Sequence, residues 1–296
     1  MKLAICITTR NRPVELDQCL KAIAASTQRP HEVIVSDDSS DPLIQEQNSD
    51  IVSQYPNACF ILGPRKGVCA NRNNAVNHVK DTDYVSFVDD DIYIEPDFVQ
   101  LSADFYDAMP EADRFKTILS GVSYSQEGQD LHPAKLSFRG YFSAVQAGQP
   151  YETVVIHAAV FPRSFFQEEQ WDENIYFGYE DGELCLRAIK RGYGIRLVPN
   201  LKVYNSCFDQ GTLIVPSVAR LTDYQIYLDA ARLYIGVKRY KYVFPNIIKL
   251  YLFIFLYVTH ILVFLSKNRS LKALPEIFTR SKVSEIWNIQ SLSPLS

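Results

Sequence analysis

From residue 2 to residue 91, short apolar or β-branched runs alternate with stretches of helical periodicity: LAICIT, VELDQCLKAIAAS, HEVIVS, ACFIL, a helical stretch opening near Val68, and DYVSFV. That order predicts an α/β fold, a mostly parallel sheet flanked by helices. In the first helical stretch Leu16, Leu20, Ile23 and Ala24 recur at three- and four-residue spacing, giving one buried stripe beneath a polar face of Glu15, Asp17 and Lys21. Past Pro96 a helix through Met109 and a strand over residues 117–122 continue the alternation, and residues 124–149 then turn polar and irregular. A strand-like TVVIHAAVF follows, then an aromatic-rich loop, a helix over residues 180–191, and two short strands, IRLVP and LKVYN. The pattern closes near Gly211, so residues 1–211 read as one globular unit.

Residues 212–296 differ in character. An amphipathic helix is predicted over 218–234, followed by the uncharged run LYLFIFLYVTHILVFL (250–265), extended upstream to Val243, and by a basic tail with Lys267, Arg269 and Lys272. The run falls between the lengths of buried and of membrane-spanning helices. It is apolar around its whole circumference, with only Lys249 and His260 ionisable, so it must be hidden. Lys238, Arg239 and Lys241 precede it and Arg280 ends the basic set that follows, so neither orientation across a bilayer is preferred. The favoured expectation is a helix lying in, or re-entering, the cytoplasmic leaflet with its basic flanks on anionic headgroups, and burial against a partner protein is the alternative. The N-terminal run turns polar at Thr8, too early for a signal-peptide core, which places the start of the chain in the cytoplasm.

Composition changes this picture little. Thirty basic and 34 acidic side chains leave a net charge of −4 over 296 residues, without the basic excess that a nucleic-acid partner calls for. The six cysteines contain no CxxC pair, so neither a zinc site nor a disulfide framework is indicated.

The polar motifs fall after successive strands: residues 8–12, then Asp37-Asp38, then Arg65 to Arg72, then Asp89-Asp90-Asp91. In open α/β sheets ligands bind beyond the carboxyl ends of the strands, so these loops should line one crevice. Consecutive carboxylates repel unless a cation offsets them, and no basic residue lies near Asp91 in the sequence. Hard oxygen ligands suit Mg²⁺ or Mn²⁺ that also takes phosphate oxygens, although a solvated acidic turn reads as well from the motif alone. Glu180 and Asp181 open a predicted helix, where acids cap amides or, at a pocket wall, serve as general base. Glu183 and Arg187, four apart, read as a helical ion pair. None of the five histidines shows metal spacing, and each reads as structural or solvated.

In this order AICITTRNRP, EVIVSDDSS, GVCANRNNAV, YVSFVDDDI and WDENIYFGYEDGELCLRAIKRGY resemble the family-2 glycosyltransferases of the GT-A (Rossmann-like) fold, over residues 3–205. The resemblance implies a nucleotide-diphospho-sugar donor, a divalent metal (Mg or Mn) and transfer with inversion; taken with the C-terminal apolar run, the expectation is a saccharide or lipid-linked acceptor at the inner face of the cell membrane. By the same resemblance Thr8 and Arg10 lie along the nucleotide, Asp38 reads the base, Arg72 sits near the donor phosphates and Asp89 faces the ribose or sugar. Asp91 holds the metal, Asp181 is the base, and Glu180 beside it contacts acceptor or donor sugar. Many members carry a metal-binding His where this chain has Asn205, so coordination rests on Asp91, diphosphate and water, or Asp209 substitutes for the His. Two rival readings make different demands on the sequence. A sugar-phosphate nucleotidylyltransferase calls for a glycine-rich first loop, and residues 8–13 contain no glycine. A non-catalytic sugar-nucleotide-binding or scaffold protein need not keep both Asp91 and Asp181.

Overall fold

The computed structural model describes residues 1–125, 130–206, 216–218 and 221–288. The four N-terminal runs form β1 (Leu3–Thr9), β2 (Glu32–Asp37), β3 (Ala58–Leu62) and β4 (Tyr84–Asp89), joined by α1 (Pro13–Ala24), α2 (Pro42–Ser53) and α3 (Val68–Asn77). α1 opens with Pro13, whose missing N–H is no loss in a first turn, and buries Leu16, Cys19, Leu20 and Ile23. Burial of each such Leu or Ile contributes about 1.5–3 kcal/mol. Beyond β4 come β5 (Ile92–Ile94), α4 (Phe98–Asp107), α5 (Glu111–Arg114) and β6 (Thr117–Ser125). The polar region 124–149 contains a small hairpin of β7 (Lys135–Leu136) and β8 (Phe142–Ser143).

The run TVVIHAAVF becomes a 3₁₀ turn (Ile156–Ala158) and only a short strand, β9 (Ala159–Pro162), before α6 (Arg163–Glu168) and α7 (Glu180–Lys190). IRLVP and LKVYN, read as two strands, are one: β10 (Gly194–Asn205), paired parallel to β6 with a register shift between Leu197 and Lys202. Pro199 lies inside the shifted stretch and has no N–H to give the ladder, which accounts for the irregularity. The sheet order is β3-β2-β1-β4-β9-β6-β10-β5. It is parallel from β3 to β4 and between β6 and β10, while β9 runs antiparallel to both neighbours and β5 to β10. The carboxyl ends of β1, β2 and β4 therefore lie side by side.

The amphipathic helix starts later than its periodicity suggests. Val218 belongs to β11 (Pro216–Val218), which pairs with β12 (Leu221–Thr222), and α8 runs Asp223–Lys238. Thr222 and Gln225 form a reciprocal capping box that sets this start. α9 (Ile247–Lys267), α10 (Leu274–Ser281) and α11 (Val283–Asn288) follow. α9 is long and apolar enough to cross a membrane by length and composition alone, yet Leu250, Phe253, Tyr257, Ile261 and Leu265 form one buried stripe. They belong to the apolar cluster that runs from Phe87 and Phe161 on the sheet through Leu184 and Leu233. The other face of α9 leaves Ile248, Tyr251, Leu252 and Phe255 exposed. The helix is thus hidden along one stripe only, where its composition alone reads as apolar all round.

Candidate active site

The loop after β1 is tied to the other strand ends by hydrogen bonds. Asn11, held in the left-handed region at φ 58°, donates its amide to Ser39 Oγ at 2.8 Å. Arg12 reaches across to Asp90 Oδ1 at 2.8 Å and Asp91 Oδ2 at 3.0 Å. No basic residue is near Asp91 in the sequence, and the fold supplies one from the loop after β1. Arg12 lies in a motif already singled out, but its partner is 79 positions away, beyond the reach of local pattern. The Thr9 hydroxyl donates to Asp90 Oδ2 at 2.7 Å, and burial still pushes the Asp90 carboxyl up to about 7 against the pull of Arg12. Asp91 is also raised, by burial and then by Asp89, with Arg12 opposing.

At the end of β2 the two aspartates part company. Asp37 is fully buried and structural: it accepts from the Ser39 amide at 2.8 Å and from Asn48 Nδ2 at 3.0 Å. Asp38 accepts the amide of Arg65, itself left-handed at φ 57°, at 2.8 Å. Burial raises the Asp38 carboxyl, while the Arg65 amide and the Arg10 charge pull it down, so Arg10 and Asp38 face one region. Gly63 is required here, because a Cβ would stand 2.2 Å from Asp38 Oδ1.

Arg72, from α3, is the hub. Its side chain is 3% exposed, donates to Glu180 Oε1 at 3.0 Å and Asp89 Oδ1 at 3.2 Å, and lies 4.9 Å from the centre of the Trp171 ring. The Thr8 hydroxyl adds a long 3.4 Å bond to Asp89 Oδ1. Burial works to raise the Asp89 carboxyl, but Arg72, with His157 and Thr8, outweighs it and holds it below the ordinary range. The neighbouring Asn73 clamps the Trp171 loop through two bonds, Nδ2 to the Trp171 carbonyl at 2.9 Å and Oδ1 from its amide at 2.8 Å. Tyr179, left-handed at φ 58°, then turns the chain into α7, which begins at Glu180 and Asp181. Of five described non-glycine residues at positive φ, three border this crevice, as strained backbone at functional sites tends to do.

Asp181 Oδ1 accepts the Gly182 amide at 2.8 Å. Burial first, and then the Glu180 charge, push its carboxyl up to about 7. Such a carboxylate is poised to take a proton near neutrality. Glu183 belongs elsewhere: it pairs with Arg187 as the spacing suggests, at 2.8 Å, and with Lys238 of α8 at 2.6 Å, which hold it down at about 2 despite burial.

His157, read as structural or solvated from the sequence, sits at this site. Ser86 of β4 pairs antiparallel with Val160 of β9, and His157, in the 3₁₀ turn just before β9, comes close enough to the end of β4 for its charge and that of Asp89 to interact. The ring is buried, its Nε2 has no hydrogen-bond partner among the described residues, and burial lowers its pKa while Asp89 raises it. Nothing in its local sequence distinguishes it; only the strand order does.

Among the described residues no cluster of three or more His, Cys, Asp or Glu side chains is placed to hold a metal. Asp91 is a single carboxylate already shared with Arg12, and Ser206 caps its carbonyl with its amide at 3.0 Å and hydroxyl at 2.9 Å. Asn205 pairs opposite Ile92, the residue after Asp91, so it occupies the neighbouring strand end. Asp209 lies outside the described residues. Mg²⁺ is commonly held by one or two carboxylates together with substrate phosphates, so this donor set fits an ion that arrives with a diphosphate, not a resident one.

The sequence profile described as "Glycosyl transferase family 2" matches residues 4–168, more than half of the chain. The chain belongs to glycosyltransferase family 2. The transferase is 24% identical over 211 residues to the uncharacterized glycosyltransferase YwdF of Bacillus subtilis (strain 168), covering 71% of this chain and 76% of that one. Its fold matches S. aureus TarS 1-349 in complex with UDP-GlcNAc, with a TM-score of 0.61 at 16% identity over 95% of this chain and 79% of TarS 1-349. The match to TarS 1-349 in complex with UDP has a TM-score of 0.52 at 16% identity, covering 82% and 72%. Against TarS 1-349 alone the TM-score is 0.54 at 16% identity, over 80% of the transferase but only 64% of that chain. These likenesses establish the GT-A fold.

Proposed function

We propose that the transferase moves a sugar from a nucleotide-diphospho-sugar to a hydroxyl of a saccharide or lipid-linked saccharide, in one displacement that inverts the anomeric carbon. The observation that carries this reading is the Arg72 bridge, which ties the acidic end of β4 to the first residue of α7 and so brings Asp89 and the Glu180-Asp181 pair to one crevice. The solved likenesses with UDP-GlcNAc and UDP support a nucleotide-sugar donor.

In this reading Thr8, Arg10 and Asp38 line the nucleotide, Asp89 faces ribose or sugar, and Arg72 sits towards the diphosphate. Asp91 would hold Mg²⁺ or Mn²⁺, which when bound neutralises charge on the departing diphosphate. The acceptor oxygen forms its bond to C1 as the bond from C1 to the phosphate oxygen breaks, and the acceptor proton passes to the Asp181 carboxylate. Glu180 keeps Asp181 basic enough for this by like-charge repulsion. Residues 1–211 form the transferase unit in this reading, and residues 212–296 a helical, membrane-associating region at the cytoplasmic face. The buried stripe of α9 favours a helix lying in the leaflet over one crossing it, since a spanning helix would pull that stripe off the protein core.

The test is nucleoside diphosphate release across a panel of nucleotide sugars, with and without Mn²⁺. Release from at least one donor, stimulated by Mn²⁺ in wild type but not in Asp91→Ala, supports the reading. Metal-stimulated release that survives Asp91→Ala removes Asp91 from its role.

A further inference from the structure

Aromatic rings from three separate segments meet at the start of α7. Phe142, on the β7–β8 hairpin, stands 4.9 Å from Tyr179, ring centre to ring centre, and its Cε1 lies 3.1 Å from where a Cβ on Gly182 would be. Its ring therefore rests on the turn that carries Glu180 and Asp181, yet it is 43% exposed. On the other side Tyr224, from the first turn of α8, packs 5.6 Å from Phe177, and the Glu180 charge adds to burial in raising its phenol pKa.

The hairpin that presents Phe142 is held firmly. Arg239 donates to the carbonyls of Leu136 at 2.9 Å and Ser137 at 3.1 Å. Arg232 packs under the turn, where a Cβ on Gly140 would stand 2.7 Å from its Cγ, and lies 4.2 Å from the Tyr141 ring centre. A half-exposed ring on a fixed support, beside carboxylates and phenols, is a surface with one apolar face and a polar rim.

We propose that Phe142 is the platform on which an acceptor saccharide stacks, with the reacting hydroxyl directed at Asp181 and a neighbouring hydroxyl at Glu180 or Tyr224. A pyranose has the matching chemistry: a face of weakly positive C–H groups for the negative ring face, and hydroxyls around its edge for the carboxylates. An alkyl chain would cover the ring but leave those polar groups without partners, at a desolvation cost. The assignment rests on the transferase reading of Asp181 and deepens it by naming a carbohydrate as the group bound next to the base.

The test uses the full chain and two readouts. In the first, methyl hexosides, methyl N-acetylhexosaminides and the corresponding disaccharides are added to the donor that the protein hydrolyses, and nucleoside diphosphate release is followed. Phe142→Ala should raise the saccharide KM about tenfold, some 1.4 kcal/mol, with the donor KM moving less than twofold, and Phe142→Trp should restore it. In the second, the Phe142→Trp variant should change its fluorescence on titration with the same saccharides, beyond any change in wild type. Saccharide binding without turnover would keep the platform and overturn the transferase reading. An unmoved saccharide KM in Phe142→Ala, short n-alcohols acting as well as the sugars, or no saccharide response in either readout would overturn the platform.

Discussion

Replacing Arg72 with Met removes the charge at the centre of the site while keeping an unbranched stem over Trp171. The guanidinium is 3% exposed and holds two carboxylates, at 3.0 Å to Glu180, whose side chain is 12% exposed, and 3.2 Å to Asp89, at 36%. Deleting one partner of a buried ion pair costs about 3–5 kcal/mol, because the other charge stays buried and unpaired. Asp89 is open enough to rehydrate, so its share is discounted and the loss should fall near the lower bound, about 3 kcal/mol. Against a total stability of about 5–15 kcal/mol, the variant still folds. The pH dependence has a defined sign. Arg72 holds the Asp89 carboxyl below its ordinary value, so this part of the stabilisation is present above an unfolded pKa of about 3.9 and is lost as pH falls through the depressed folded value. Urea unfolding of wild type and Arg72→Met at pH 7, 4 and 3 should therefore show a difference that is full at pH 7 and shrinks below pH 4 as the carboxylates take up protons. A difference below 1 kcal/mol at pH 7, or one that is constant with pH, would refute the bridge.

Asp181→Asn should lower kcat by about 10²–10⁴. The wild-type rate should rise with pH through about 7 as Asp181 loses its proton, and Glu180→Gln should move that limb to lower pH, since a raising charge is gone; an unmoved pH-rate profile would count against the pair. Asn205→His should tighten Mn²⁺ binding in the presence of nucleoside diphosphate, measured by calorimetry, because it adds a better ligand beside Asp91. Tyr251→Ser with Phe255→Ser should weaken flotation with phosphatidylglycerol vesicles and leave Tm unchanged, both side chains being 65% exposed; a fall in Tm would place them in the core instead. Gly236→Ala should destabilise by about 1–3 kcal/mol in urea titrations, since its Cβ would lie 2.0 Å from Phe253 Cζ; full stability would mean that α8 and α9 do not pack as described.

The first half of the fold was legible because β1 to β4 are short runs bounded by turn residues, each followed by a helical period. Of the candidate site only the placement was legible: Asp89 ends β4, Asp38 and Asp91 lie in the turns after β2 and β4, and Glu180 opens α7. What local pattern could not show is pairing over distance. Arg12 finds Asp91, Arg72 finds Glu180 over 108 positions, and His157 comes near Asp89 through the insertion of β9 between β4 and β6. α9 makes the same point from the other side. Its composition reads as apolar all round, and packing such as that of Phe253 on Gly236 distinguishes a buried stripe from an open face.

Proton NMR of a hydrolysed nucleotide sugar, followed in real time with the full-length protein, tests the central claim most directly. The account predicts that the donor anomeric signal decays while the free sugar first appears in the opposite anomeric configuration, and that Asp181→Asn slows both changes together. First appearance of the sugar in the donor's own configuration, or decay at the wild-type rate in Asp181→Asn, would contradict a single displacement with Asp181 as its base.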